Sequence, residues 1–370
     1  MEKRKWNFSM KKELIYSCAW QKDKINSWSG THMAIRSRLD KYYNIKDFDW
    51  GEKTLENKIQ RLCNKFLKKY VDMNCFYTKR FKKRFGNNNI IFCYDNTPLN
   101  YSKSNTYFVY QDFTWHFLNQ IYDTRKDLWN INFHDDFQKK RMDKLINKQN
   151  EFYFQSNVHC LTMSKWLYNY YIENMNIPAN RVHYVGGGIN IDITKINTSK
   201  KSGNKFLFVG KDFERKNGPL VIEAFKIIRK KNPEYELYIA GPSNLNVNYD
   251  GIHNLGLLKF EELIKYFNLC DVFVMPSLFE GYGLVFCEAL AYGLPCIGNS
   301  CFEMPYFIKD GENGYILKNQ DSNELANLMI QAIGNFEMRQ FVMNNSQEYI
   351  KEYSWDSVID RMVNVIEENT

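Results

Sequence analysis

The stretch at 277–299 reads SLFEGYGLVFCEALAYGLPCIGN, and it decides the fold. It directly follows an apolar run at 271–276, DVFVMP, whose β-branched and aromatic residues are typical of a buried parallel strand. A glycine-containing turn comes next, then a helical stretch at 284–292 that a glycine and a proline bring to an end. A second buried run at 295–298 predicts another strand. The order of strand, turn, helix and strand predicts a parallel α/β sheet.

Two carboxylates lie in this unit, Glu280 in the turn and Glu288 in the helix. Glu280 precedes a helix start, where free N–H groups and the positive end of the helix dipole stabilise a phosphate or sugar oxygen. Glu288 is flanked by apolar residues, and a carboxylate is costly to bury without a partner such as a pair of ribose hydroxyls. Either glutamate alone would favour the simpler interpretation, an ordinary helix or loop charge. The two together, with the glycines, favour a binding site.

This pattern, S-x-F-E-G-x-G-L-x-x-x-E-A-x-A-x-G-x-P, resembles that of the family-four retaining glycosyltransferases, which are group 1 glycosyl transferases with an E-x7-E motif. The resemblance implies an α/β chain of the GT-B fold, with two Rossmann-like domains whose parallel sheets face a central cleft. Glu280 would then contact the donor sugar, and Glu288 would hold the ribose of the nucleotide. Backbone N–H groups of the turn and helix start would bind the sugar and diphosphate, from Gly281, Tyr282, Gly283, Leu284 and Val285.

The family also keeps a basic pair after the first strand of its second domain. This chain has Lys211 and Lys216 in the charged loop there, and Lys211 keeps the charge of the family's arginine without its bidentate fork. Both lysines would neutralise the leaving diphosphate, so Glu280 and Lys216 are the expected catalytic residues of this half. No metal or other cofactor is then expected. The backbone near Leu258 would lie against the nucleobase.

Two positions in the first half complete the expected site. Gly30 follows the first predicted strand and would face the donor diphosphate, and either Ser29 or Thr31 would cap the next helix. A later strand ends at Gln111-Asp112, where the family often has His-Asp, so Asp112 is the catalytic candidate on the acceptor side. His116 is a lone histidine and is expected to be structural.

The length of 370 residues fits two domains. We expect an N-terminal acceptor-side domain over 1–188, a linker over 189–204 and a nucleotide-sugar-binding domain over 205–350. The resemblance implies that a last helix over 351–370 returns to the first domain. No apolar run approaches the roughly 20 residues that span a bilayer. The start of the chain does not have the pattern of a signal peptide, and nine scattered cysteines without zinc spacing predict a reduced, cytoplasmic protein.

The net charge of +8 is concentrated in the first hundred residues, which carry 22 basic and 10 acidic side chains. The densest run, KRFKKR at 79–84, is a solvated face by default, with an anionic membrane as the alternative. Residues 55–71 have the spacing of a basic amphipathic helix, packed on the surface by default or resting on a membrane. No nucleic-acid recognition motif occurs, so nucleic acid is not an expected partner.

These features together predict a hexosyltransferase (EC 2.4) that acts with retention. It would move a sugar from a nucleotide-diphosphate donor to a hydroxyl of a glycan or lipid-linked precursor, in cell-surface polysaccharide or lipopolysaccharide biosynthesis. It would work in the cytoplasm or as a peripheral protein on the inner face of the cell membrane. One alternative is a GT-B sugar-nucleotide epimerase or phosphorylase. Another is a basic membrane-binding protein with a vestigial site. The sugar, the acceptor and the base (UDP, GDP, dTDP or ADP) stay open.

Overall fold

The structure is a computed structural model, and its described strands form two parallel sheets of six strands each. This confirms the α/β fold class. The described residues are 11–20, 24, 30–51, 58–59, 62–63, 66, 73–94, 99–124, 136–197, 203–243 and 245–370. We call 11–188 the first half and 203–350 the second half. The predicted domain boundaries, with 189–204 as a linker, stay a prediction.

The elements alternate between strand and helix through most of the chain, as parallel sheets require. The strands are β1 Glu13–Cys18, β2 Asn44–Asp49, β3 Ile90–Tyr94, β4 Thr106–Gln111, β5 Val158–Thr162, β6 Val182–Tyr184, β7 Lys205–Val209, β8 Glu236–Ala240, β9 Ile252–Gly256, β10 Val272–Val274, β11 Cys296–Asn299 and β12 Gly314–Leu317. The described α-helices are α1 Thr31–Leu39, α2 Asn74–Phe85, α3 Trp115–Thr124, α4 Asp136–Tyr153, α5 Lys165–Glu173, α6 Gly218–Arg229, α7 Phe260–Leu269, α8 Leu284–Ala291, α9 Met304–Phe307, α10 Ser322–Gly334, α11 Phe336–Asn344, α12 Ser346–Tyr353 and α13 Trp355–Glu368.

The strand order identifies where a ligand belongs. The first sheet has the order β2-β1-β3-β4-β5-β6, and the second has β12-β11-β10-β7-β8-β9. In the second sheet the order reverses between β7 and β10, which pair in parallel. Ligands of open α/β sheets bind outside the carboxyl ends of the strands at such a switch point. The loops after β7 and β10 are therefore the parts of the second half to inspect.

The central strands are apolar because helices cover both faces of each sheet. The three middle residues of β7 and all of β10 are buried, and so is most of α8. Two of the four edge strands, β2 and β9, were not predicted. In β2, buried apolar residues are separated by polar ones, and in β9 no residue is fully buried. Neither strand therefore shows a continuous apolar run. Asp47 lies on β2 and pairs with Arg36 at 2.9 Å.

The last helix, α13, packs against the first half. Ser354 caps it by accepting a hydrogen bond from the N–H of Ser357. Tyr42 donates a hydrogen bond to Asp360 at 2.7 Å, and Arg361 donates to the carbonyl of Val185 at 2.7 Å. The C-terminal helix is therefore part of the body of the first half.

Two local predictions need correction. Thr31 does not cap α1: it is the first residue of that helix, and the cap position is taken by Gly30, with a φ of 86° and no side-chain hydrogen bond. Ser29 and most of 55–71 lie outside the described residues. Three apolar positions of that stretch are described and helical, and they are exposed instead of packed, at 45%, 55% and 68% for Ile59, Leu62 and Phe66.

Candidate donor site at the switch point

The lysine of the loop after β7 is directed by a glycine. A Cβ atom on Gly210 would lie 2.3 Å from Cδ of Lys216, so only glycine lets the lysine stem pass this close to the backbone. The Lys216 side chain is nearly buried, with 9% of the residue exposed. Asn217 follows with a φ of 60° and is the cap residue of α6. The loop therefore folds back over the carboxyl end of β7.

Lys216 meets Glu280 across the switch point. The Lys216 Nζ atom lies 3.2 Å from Oε2 of Glu280 and 3.3 Å from Sδ of Met275. Ser277 donates a hydrogen bond to the same carboxylate oxygen at 3.3 Å. Because β7 and β10 are neighbours, residues far apart in sequence meet at one sheet edge. The structure thus joins the two residues expected to be catalytic in the second half.

Arg215 is a component that the sequence analysis missed. Its Nη1 atom lies 3.7 Å from Oε2 of Glu280, and its guanidinium donates to the carbonyl of Phe279 at 2.5 Å. Its own carbonyl accepts from the N–H of Leu278 at 2.9 Å. The signal was present, since Arg215 directly precedes Lys216. Arg215 and Lys216 therefore approach the same carboxylate oxygen of Glu280.

The turn after Glu280 presents backbone, not side chains. Within the described part of the chain, the N–H groups of 281–283 donate to no acceptor. Tyr282 is buried, and its hydroxyl donates to the carbonyl of Gly187 at 3.2 Å. Gly283 has a φ of 95°, which favours glycine, and it is the cap residue of α8. Leu284 and Val285 are half-buried at the start of that helix.

Glu288 is buried one turn into α8, so it is not a half-exposed helix residue. The backbone N–H of Asn190 donates to its Oε1 at 3.3 Å, and Ile191 provides a second backbone hydrogen bond. Burial raises the pKa of Glu288 to about 7, while these two hydrogen bonds and the charge of Lys216 act in the opposite direction. In the structure the carboxylate is therefore held by the segment that joins the two halves.

A cavity of about 610 Å³ adjoins that segment. Gly30 lines it from the first half, Asn190 and Ile191 from the joining segment, and Phe260 from α7. Small-molecule sites commonly have volumes of about 300–1,000 Å³. Gly30 thus lies at an opening between the halves, next to the residues that hold Glu288.

Asp112 approaches the turn at 280–283 from the first half. We call this turn, the candidate for donor binding, the donor loop. A Cβ atom on Gly281 would lie 3.2 Å from Oδ2 of Asp112, so the glycine allows the two halves to approach closely here. The neighbouring Gln111 is buried and accepts hydrogen bonds from the hydroxyls of Tyr153 and Tyr171. Gln111 is therefore a core residue, which leaves Asp112 as the polar group that faces the loop.

The remaining candidates lie further out. Lys211 is exposed and Leu258 is half-buried, and within the described residues neither forms a hydrogen bond or ion pair with Glu280. His116 bonds through Nδ1 to the hydroxyl of Tyr170 at 2.7 Å, as a structural histidine does. Among the described residues, no group of three or more His, Cys, Asp or Glu side chains is placed to hold a metal ion.

Comparisons with known proteins give a family match and several relatives. Residues 190–349 match the family described as Glycosyl transferases group 1. An uncharacterized glycosyltransferase of Methanocaldococcus jannaschii is 27% identical over 217 residues, which cover 56% of this chain and 59% of that protein. The chain therefore spans less than two thirds of that relative's length. The described part of the chain has no helix long and apolar enough to cross a membrane.

Two solved structures match nearly the whole chain. Sucrose-phosphate synthase from Thermosynechococcus elongatus has a TM-score of 0.66 at 13% identity, covering 97% of this chain and 99% of that one. WaaG, a glycosyltransferase involved in lipopolysaccharide biosynthesis, has a TM-score of 0.63 at 12% identity, covering 95% and 99%. At such identities the likeness concerns the fold. The chain thus has the GT-B fold, and its residues 190–349 carry the sequence pattern of the group 1 glycosyl transferases.

Proposed function

We propose that this protein is a hexosyltransferase that transfers a sugar, with retention, from a nucleotide-diphosphate sugar to a hydroxyl of a glycan or lipid-linked acceptor. One observation supports this above all others. Two cations, Lys216 and Arg215, lie beside Glu280 at the N-terminus of α8, at the sheet's switch point. Cations and free N–H groups stabilise the charge of a leaving diphosphate, and a carboxylate beside them accepts hydrogen bonds from sugar hydroxyls.

The roles follow from position. The bond between the anomeric carbon and the diphosphate breaks, and the acceptor oxygen bonds to that carbon on the same face. Lys216, Lys211 and the N–H groups of 281–285 would take up the negative charge left on the diphosphate. Gly30 would approach the diphosphate from the other side of the cleft. The proposal invokes no metal ion, because cations of the chain lie at the expected place.

The remaining residues would orient the two substrates. Glu280 would bind donor-sugar hydroxyls. Glu288, whose spacing from Glu280 resembles that of the family-four enzymes, would bind the ribose. The ribose hydroxyls would compete there with the N–H of Asn190 for the carboxylate. Backbone near Leu258 would contact the base. Asp112 would accept a hydrogen bond from the acceptor hydroxyl, since it approaches Gly281 from the first half.

A binding screen tests the donor class. The purified protein is heated with UDP, GDP, dTDP and ADP, and then with sugar derivatives of the best one. A ligand that binds only the folded state raises the midpoint of thermal unfolding by mass action. At a hundredfold excess over Kd it adds about 2.7 kcal/mol to the free energy of unfolding. We expect one base to stabilise clearly. No shift with any of the four at millimolar concentration would contradict the proposal.

Product analysis tests the reaction. With a labelled donor and acceptor extracts, we expect release of the nucleoside diphosphate and transfer of label with the anomeric configuration kept. Isomerised donor without release would identify an epimerase instead, and inverted product would exclude retention. The relative from Methanocaldococcus jannaschii and WaaG are both named as glycosyltransferases, which favours transfer over the epimerase or phosphorylase alternative.

We also propose that the protein works in the cytoplasm on an anionic membrane surface, in cell-surface polysaccharide or lipopolysaccharide assembly. Ile59, Leu62 and Phe66 share one helical face by their spacing and are exposed, in a stretch rich in lysine. Residues 79–84 of α2 add further basic side chains, most of them exposed. Flotation with phosphatidylglycerol vesicles is expected to carry the protein up, and the L62S/F66S double variant is expected to float less. Equal flotation of both would contradict this surface.

A further inference from the structure

A buried carboxylate of the second half caps a helix of the first half. Oε2 of Glu303 accepts hydrogen bonds from the backbone N–H groups of Lys165 at 2.7 Å and Trp166 at 3.1 Å. These are the first two residues of α5. The residue at the cap position, Ser164, forms no side-chain cap of its own. The start of α5 is therefore satisfied by a side chain more than a hundred residues away, and Glu303 is 1% exposed.

The same helix start reaches the donor loop. The indole N–H of Trp166 donates to the carbonyl of Gly281 at 2.6 Å, and Trp166 is itself 9% exposed. Gly281 directly follows Glu280. Rings of Phe117 and Phe302 pack against the indole with centroids 5.0 and 5.4 Å away, so the ring has little freedom to turn. The contact is thus a fixed, buried hydrogen bond between the two halves.

The geometry of a peptide bond links this contact to the proposed chemistry. The carbonyl of Gly281 and the N–H of Tyr282 belong to one planar trans peptide, so they point in opposite directions. When Trp166 holds the carbonyl, it also fixes the direction of the Tyr282 N–H. That N–H has no acceptor within the described residues. It is one of the groups that we assign to donor binding.

We propose that Trp166 is a positioning residue for the donor loop and that Glu303, by capping α5, holds Trp166 in place. This rests on the proposed function only for its consequence in turnover. We call these contacts the bridge: Glu303 of the second half bonds to the start of α5 in the first half, and Trp166 of α5 bonds to Gly281 of the second half. Loss of either end frees the Gly281–Tyr282 peptide to rotate, which removes one aligned donor from the site.

Three variants test the bridge. Trp166→Phe keeps an aromatic ring and removes the N–H, and Glu303→Ala removes the cap. Asn169→Ala is the matched control, since Asn169 lies one turn further along α5 and donates an exposed hydrogen bond to Tyr306 at 2.9 Å, also between the halves. We expect kcat/KM for the donor to fall about tenfold or more in the first two, because one preorganised donor is worth about 10²–10³-fold, and to stay within about twofold in the control.

A double variant and hydrogen exchange separate positioning from general stability. Trp166→Phe and Glu303→Ala act through one element, so their combined loss is expected to be smaller than the product of the single losses. Amides of 280–283 are expected to exchange faster in Trp166→Phe and at the normal rate in Asn169→Ala. Normal exchange in Trp166→Phe, or multiplicative losses in the double variant, would overturn the proposal. If the normal protein turns over no donor, the proposed function fails, and exchange alone still decides the bridge.

Discussion

Replacing Lys216 by methionine removes one charge and keeps most of the side chain. The Lys216 stem packs against Gly210, and a methionine fills nearly the same path. Glu280 keeps two of its partners, the Ser277 hydroxyl at 3.3 Å and Arg215 at 3.7 Å. A buried charge left alone costs about 3–5 kcal/mol. Because Glu280 is not left alone, we expect Lys216→Met to lower the free energy of unfolding by only about 1–2 kcal/mol.

The effect on turnover is expected to be much larger. The removed cation lies where charge develops on the leaving diphosphate, and loss of one such group costs about 10²–10³-fold in kcat, or about 2.7–4 kcal/mol. Initial rates of nucleoside diphosphate release, measured with saturating donor, give kcat directly. Lys230→Met is the control, because Lys230 is exposed at the other end of α6. If Lys216→Met keeps more than about a third of the normal kcat, Lys216 does not neutralise the leaving group, and the mechanism needs another cation.

Three further predictions concern neighbouring groups. Glu288→Ala removes the expected ribose ligand, so calorimetry is expected to show about tenfold weaker nucleotide binding, and an unchanged Kd would show that Glu288 serves only the backbone of Asn190. Gly210→Ala puts a Cβ atom 2.3 Å from Lys216 Cδ, so kcat is expected to fall, whereas Gly334→Ala, with no atom within 4 Å, is expected to have normal kcat; equal rates would contradict the packing. Burial raises the pKa of Glu303 to about 8, against the charge of Lys165 and two N–H groups, so its folded form keeps a proton that the unfolded chain loses near pH 4.5. Stability is therefore expected to fall as pH rises from about 4.5 to about 8, and the midpoint of Glu303→Gln is expected to fall less over that range; parallel curves would rule this out.

The sequence was most informative where local chemistry repeats along the chain. Central strands such as β7 were predictable because burial on both faces demands apolar residues in succession. The turn before α8 was predictable because its glycines and two glutamates keep a fixed spacing. The edge strand β9 was missed because solvent on one side removes that demand.

Contacts between segments far apart in the sequence could not be predicted from local sequence patterns. Arg215 is one more basic residue in a charged loop until folding brings it to Glu280. Glu303 is 137 positions from Trp166, and no local spacing indicates that it will cap a helix in the other half. Asp112 was selected by analogy with a His-Asp pair, and the reason that its neighbour is glutamine appears only when two tyrosine hydroxyls are seen to bond to it.

The return of α13 to the first half affects how the protein can be divided into fragments. Trp355 fills the space beside Gly188, where a Cβ atom would lie 2.3 Å from the indole, and it donates to Asn190 at 2.8 Å. Residues of α13 therefore complete the packing of the first half around Gly188. A fragment that stops near 188 would leave the surface around Gly188 uncovered. A fragment with 355–370 fused to it through a short linker would cover that surface again. Dividing the protein into fragments that fold on their own therefore requires keeping α13 together with the first half.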